Sequence, residues 1–303
     1  MKVLVITGDK NFAPGHPRFD LQAKSVEKLS TVFWGNGSIW PKIPEGKFDV
    51  VTSQDPFWRG LFSWLIARRI NARFNVQVHA DLSSQSFLKN LIARFVLKHA
   101  DSIRAVSQRI KEQVEDTGTT KPIFVLPVYV NWEHFQKVSQ NYINRRISDP
   151  LPTLLWLGRF EGEKDPLFAL SVFRRVYKEV PNAKLIMLGS GSLEKILRKE
   201  AKGLPVEFPG WCDPTPYLLE TRIVFSTSHA ESWGMSIVEA LSIGVPVISP
   251  DVGIAREAGA IVVPREKLAE TIIDTLSSNA HGKLTLQLLS KEEWAEAWKK
   301  TLI

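Results

Sequence analysis

At 303 residues the sequence is long enough for two cores of ordinary size, and its 44% hydrophobic and 23% charged content excludes a disordered chain. A single cysteine, Cys212, excludes an intramolecular disulfide and a cysteine-rich metal site, and fits a reducing, cytoplasmic compartment. The net charge of +7 lies in the first half: residues 1–150 carry 21 Lys and Arg against 13 Asp and Glu, residues 151–303 carry 18 against 19.

The chain opens on Lys2-Val3-Leu4-Val5-Ile6-Thr7, an apolar run closed at once by Gly8-Asp9-Lys10. It is too short for a signal peptide and predicts the first buried strand of a parallel sheet. Further β-branched runs at 31–34, 49–52, 75–79, 102–106 and 123–127 predict strands. Between them, residues 19–29, 57–70, 86–99 and 108–117 repeat apolar side chains every three to four positions and predict helices. The alternation implies βαβ units, with helices on both faces of the sheet. Residues 139–152, with Arg145-Arg146, Asp149-Pro150 and Pro152, break the pattern and read as a linker. The grammar then restarts, with strands expected at 153–157, 184–188, 206–208, 223–226, 245–249 and 260–263. Helices are expected at 166–179, 193–202, 235–242 and 265–278. Nowhere does an apolar run reach the roughly 18 residues of a membrane span.

The organisation expected is an N-terminal Rossmann-like acceptor domain over 1–145 and a second, donor-binding Rossmann-like domain over 146–285. A last helix over 286–303 is expected to pack back on the first domain. Ser290 and Glu293 form a capping-box signature, and Trp294 and Trp298 share a helix face that must be buried.

Two loops carry chemistry. Gly158-Arg159-Phe160-Glu161-Gly162-Glu163-Lys164-Asp165 follows a predicted strand and precedes a helix, and ligands of open α/β sheets bind beyond the carboxyl ends of strands. Arg159 and Lys164 offer two positive charges to a diphosphate there; a solvated loop leading into a Pro166-initiated helix is the other reading. In Ala230 to Leu241 the chain turns into a helix at Gly234-Met235-Ser236. The free amides and the dipole of that helix favour an anion, and the glycine permits close approach. Glu231 and Glu239 would not help hold an anion, and make sense as acceptors for sugar and ribose hydroxyls.

On these residues the sequence resembles the retaining glycosyltransferases of family 4, over nearly its whole length. Gly158 to Lys164 resembles the diphosphate-binding Arg/Lys segment, Gly189-Ser190-Gly191 the glycine loop beside the nucleobase, and Glu231 to Glu239 the Glu-x7-Glu element. The resemblance implies the GT-B fold: two Rossmann-like α/β domains whose parallel sheets face a central cleft. It implies Gly158, Arg159 and Lys164 at the diphosphate, Gly189 and Gly191 near the base, and the Gly234, Met235 and Ser236 amides on the phosphates. Glu231 is implied at the donor sugar and Glu239 at the ribose. His79 resembles the histidine of the family near the reacting sugar, although a structural histidine at a strand end explains it too. Ser107 resembles a serine at a strand-to-helix junction and is equally explained as a helix cap. The loop Gly8 to His16 departs from the paired glycines of the family, which leaves Lys10, His16 and Arg18 as the candidates for acceptor contact.

The resemblance further implies transfer with retention from a UDP- or GDP-sugar to a glycan or lipid-linked acceptor, as in polysaccharide biosynthesis. No cofactor, no metal and no nucleic acid partner is expected. The site is expected in the cytoplasm, with the basic first domain able to meet the anionic inner face of a membrane. Residues 57–69, rich in aromatics and arginine, suit an interfacial helix as well as a helix packed on its sheet. Rival readings are a sugar-nucleotide epimerase or phosphorylase on the same fold, and a catalytically silent membrane-binding subunit. A dinucleotide dehydrogenase is disfavoured, because no Gly-x-Gly-x-x-Gly follows the first strand.

Overall fold

The computed structural model describes residues 1–35, 42–135, 137–139, 152–278 and 280–303. The expected linker, apart from its first and last residues, and the expected domain boundary at 145/146 lie outside the described residues. The chain forms two compact units: Met1–Tyr129 with Leu289–Ile303, and Val130–Leu288.

The first unit contains β1 (Lys2–Thr7), α1 (Pro17–Ser25), β2 (Lys28–Phe33), β3 (Val50–Ser53), α2 (Trp58–Ile70), β4 (Arg73–Val78), α3 (Phe87–His99), β5 (Ser102–Ala105), α4 (Gln108–Glu115) and β6 (Ile123–Val125). All pairings are parallel, in the order β2-β1-β3-β4-β5-β6. The order reverses between β1 and β3, so the crevice of this sheet lies beyond the carboxyl ends of those two strands. The helix expected over 19–29 instead occupies Pro17–Ser25. His16 caps it, Pro17 supplies a preset φ at its start, and it must end early because Lys28 is already in register with Lys2 of β1.

The second unit contains β7 (Thr153–Leu157), α5 (Pro166–Glu179), β8 (Lys184–Leu188), α6 (Glu194–Glu200), β9 (Val206–Gly210), α7 (Thr215–Leu218), β10 (Ile223–Phe225), α8 (Met235–Ile243), β11 (Val247–Ser249), α9 (Ala255–Ala258), β12 (Ile261–Val262) and α10 (Leu268–Leu276). A 3-10 turn over Arg265–Lys267 leads into α10 where continuous helix was expected. The sheet order is β12-β11-β10-β7-β8-β9, the strand order of dinucleotide-binding domains, and it reverses between β7 and β10. Its core joins Trp156 and Phe160 to the buried face of α5 through Leu170, Phe173 and Val176.

The last helix, α11 (Lys291–Lys300), belongs to the first unit. Ser290 and Glu293 make the reciprocal capping box, and Trp294 and Trp298 are buried among Val3, Val5, Phe19 and Leu21. Beneath it, strands β3 to β5 bury polar side chains that an apolar strand pattern does not announce. Thr52 donates to Asn75, Gln77 to Thr52, and Asn75 and Ser102 both donate to the Thr301 carbonyl, at 2.8 Å each in the last two cases. The end of α11 is therefore hydrogen-bonded into the middle of the sheet, where every such group needs a partner.

Candidate functional site

The two loops singled out from the sequence both leave the switch point of the second sheet, one after β7 and the other after β10. The first is built by interlocking with the loop after β8. Gly158 N–H donates to Leu188 O at 3.0 Å and Phe160 N–H to Ser190 O at 2.8 Å. A Cβ on Gly189 would stand 1.9 Å from Gly158 O, and one on Gly191 would stand 2.6 Å from Phe160 O. Glycine is required at both places for this close approach. Glu161 completes the lock, accepting from Ser192 N–H at 2.8 Å and Ser192 Oγ–H at 2.6 Å. These bonds hold the Glu161 carboxyl below its ordinary pKa.

Asp165 ends the loop in the left-handed region at φ 48° and caps α5 by accepting from Phe168 N–H at 3.2 Å. Its other oxygen takes Arg265 and, at 3.2 Å, His229 Nε2. Arg265 also donates to Thr227 O, while Thr227 Oγ lies 2.9 Å from the Lys164 carbonyl. Trp156 Nε1 donates to the same hydroxyl at 2.9 Å. Lys164 thus stands on a backbone fixed from three directions.

The Lys164 ammonium is paired with Glu231, which also accepts from Ser228 Oγ at 2.9 Å. Both charged groups are largely buried. Arg159, by contrast, is exposed and paired with Glu163. Gly234, at φ 105°, precedes α8, so the Met235 and Ser236 amides are first-turn donors with no acceptor inside the helix. Glu239 lies one turn further in. Burial pushes its carboxyl up to about 7, with the Asp213 carboxylate adding to the effect. Asp213 follows β9 and was not singled out from the sequence, nor were Arg265 and Glu161; each acts across a gap in sequence that periodicity does not bridge.

In the first unit, His79 follows β4, and its Nε2 lies 3.4 Å from Gln77 Oε1. That oxygen also accepts from Arg104 at 2.6 Å; Arg104 further donates to Leu126 O at 3.0 Å and Pro127 O at 2.7 Å. Burial, then Arg104 and Arg18, hold the His79 imidazole well below its usual pKa, so it is neutral at neutral pH. Burial, with Arg18 adding, lowers Arg104 itself to about 9. The three acceptor candidates surround the loop after β1. His16 Nδ1 accepts from Arg18 N–H at 3.3 Å, Arg18 meets Asp9 at 3.5 Å, and the Lys10 ammonium lies 5.5 Å from the Phe33 ring centre. Ser107 caps α4, accepting from Ile110 N–H at 3.3 Å.

Among the described residues, no group of three His, Cys, Asp or Glu side chains is placed to hold a metal ion, and no helix is long and apolar enough to cross a membrane.

Interlocked glycine loops and a helix N-terminus with Glu231 and Glu239 beside it meet at the switch point of a parallel sheet, where open α/β proteins bind their ligands. Residues 151–278 match the family model described as "Glycosyl transferases group 1". It is 25% identical over 229 residues to an alpha-monoglucosyldiacylglycerol synthase of Streptococcus pneumoniae, covering 67% of this chain and 52% of that protein. It is 30% identical over 152 residues to a poly(glycerol-phosphate) alpha-glucosyltransferase of Bacillus subtilis, covering 45% and 23%. The chain therefore spans about half or less of the length of these relatives. Among solved structures, Anabaena HepE in complex with UDP and glucose superposes with a TM-score of 0.75 at 15% identity, covering 100% of this chain and 99% of that one. The fold is GT-B.

Proposed function

We propose that this protein transfers a sugar, with retention of anomeric configuration and without a required metal, from a UDP- or GDP-sugar to a glycan or lipid-linked acceptor. The observation that carries the reading is the Lys164–Glu231 pair, fixed at the switch point beside the open amides of α8. A diphosphate entering there takes the ammonium of Lys164 and the Met235 and Ser236 amides, and Glu231 is released to accept from sugar hydroxyls. Donors aimed at the leaving oxygen stabilise charge as it develops, the largest single contribution in many transfer reactions. The bond from the anomeric carbon to the β-phosphate oxygen breaks. The acceptor oxygen bonds to that carbon on the same face, and its proton passes to the departing phosphate. Glu239 accepts from the ribose hydroxyls. UDP in the HepE complex and the lipid and glycerol-phosphate acceptors named in the two relatives support the substrate classes.

The reading is tested by thermal stability with UDP, GDP and ADP in the presence of chelator. A nucleotide at 100 times its Kd stabilises by about 2.7 kcal/mol, or roughly 5 °C or more for a domain of this size. One base is expected to raise the melting temperature, and Lys164→Ala to abolish the rise. With that base known, labelled donor is to be chased into product: transfer of label with an α-to-α outcome supports the reaction. A changed sugar nucleotide with no transfer marks an epimerase. No shift with any base removes the donor site as drawn.

A further inference from the structure

We propose that the paired helices α2 and α3 form a docking surface for an anionic lipid bilayer. The inference deepens the reading above by naming where a lipid-borne acceptor is met; it rests on that reading for its purpose alone, since the surface stands or falls on membrane binding itself.

Helix α3 presents its apolar side chains outward. Phe87 is 80% exposed, Leu88 59%, Leu91 47% and Phe95 40%, whereas Ala93, Val96 and Leu97 fill the inner face. Phe87, Leu91 and Phe95 recur every four residues, so they form one stripe along the helix. The neighbouring helix adds Trp58 at 53% exposure and Leu65 at 45%. The two helices are in contact along their length. Gly60 leaves room for Val96, the Trp64 ring meets Phe95 edge-on at 5.0 Å, and Lys89 lies 5.5 Å from the Phe57 ring centre. A contiguous apolar strip of this kind is uncommon on a water-facing surface and marks a contact site.

The charges choose the partner. Residues 56–80 and 82–100 contain no Asp or Glu, and α2 and α3 carry Arg59, Arg68, Arg69, Lys89, Arg94 and Lys98. Arg68 lies 5.6 Å from the Trp64 ring centre, an amphipathic aromatic–cation pairing suited to the headgroup level. Arg59 is paired with Asp55, and Asp116 shares the groove lined by Phe87, Leu91 and Arg94, so the rim is predominantly rather than wholly basic, through Arg68, Arg69, Lys89, Arg94 and Lys98. Aromatic and aliphatic side chains beside such a rim are what an interfacial helix uses against anionic lipid. A second copy of this chain, meeting face to face about a two-fold axis, would set these cations against their own kind. An anionic bilayer supplies the opposite charge and buries the stripe.

The test is co-sedimentation of the full chain with phosphatidylglycerol–phosphatidylcholine vesicles and with phosphatidylcholine vesicles, at low and high salt. Binding is expected to the anionic vesicles and to weaken as salt screens the contact. Two double variants separate the contributions. Arg94→Gln with Lys98→Gln should lower partitioning by roughly 25-fold, at about fivefold per basic residue. Phe87→Ser with Leu91→Ser should lower it by at least about tenfold. All four positions are exposed and outside the donor site, so melting temperature and nucleotide binding report that the fold is intact. Absence of binding to anionic vesicles, or binding that both variants leave unchanged, overturns the proposal. A concentration-dependent dimer that the Phe87/Leu91 variant abolishes, with vesicle partition unmoved, overturns it in favour of self-association.

Discussion

Glu239 is half-buried by exposed area yet densely surrounded by protein, and its carboxyl holds a proton up to about pH 7. The unfolded chain releases that proton near the ordinary glutamate value. Between the two, the native state binds more protons than the unfolded one, so this group makes stability fall as pH rises through that window. The same titration would govern its proposed role at the ribose. A neutral carboxyl has lost much of its accepting power for two ribose hydroxyls, whereas the carboxylate accepts from both. Nucleotide affinity should therefore rise about tenfold between one unit below and one unit above the midpoint. Calorimetric titration of UDP or GDP at either side of neutrality measures it, and Glu239→Gln should flatten the profile at low affinity. A profile equally steep in that variant would assign the titration to another group. Lys164 and Glu231 make a different point at this scale: a mostly buried ion pair is weak evidence for stability, because desolvation offsets its attraction. Its proposed value is positional, each partner being held where the donor would replace the other.

At the level of elements, the interlock between the loops after β7 and β8 is the feature on which the site depends. Gly162 lies in the same loop as Gly158, at ordinary φ and with nothing within 4 Å of an added Cβ, whereas Gly189 has Gly158 O at 1.9 Å. Gly162→Ala should then be neutral within about 0.5 kcal/mol, while Gly189→Ala must displace backbone and should destabilise by about 2–3 kcal/mol, within the usual range for overpacking. Denaturation of both variants, with nucleotide binding measured alongside, checks this; equal stability of the two would mean the loops are not locked together. The sequence made much of this element legible. Strand β7 and helix α5 fall where a short apolar run and Pro166 put them, because local pattern and a preset φ act within a few residues. The Gly189 loop was legible only through family resemblance, since a glycine pair shows no partner by itself. Arg265 reaching Asp165, or Asp213 beside Glu239, was not legible: the sheet brings together residues that no local rule connects. Polar Asn75, Gln77 and Arg104 within buried strands went unread for the opposite reason, as an apolar run marks a buried strand and is silent on who satisfies the polar groups within it.

Over the whole molecule, the first unit is closed by a segment that the chain supplies only after the second unit is complete. Helix α11 is joined to that unit by chemistry as well as by burial. Trp294 Nε1 donates to Pro127 O at 2.9 Å, the same carbonyl that takes Arg104, and the Arg104 guanidinium lies 5.2 Å from the Trp294 ring centre. Trp298 is fully buried, and its indole N–H has no acceptor among the described residues. Truncating it to alanine leaves a large void and should cost about 3–5 kcal/mol. Trp298→Phe should cost clearly less, because it keeps most of the ring and deletes an N–H whose burial is uncompensated. Two compact units need not melt together, and the nucleotide is proposed to bind the second. Scanning calorimetry should therefore show Trp298→Ala lowering one transition while the nucleotide raises the other. If the substitution and the nucleotide move a single common transition, the units unfold as one, and closure by α11 then stabilises the donor site as much as the sheet it covers.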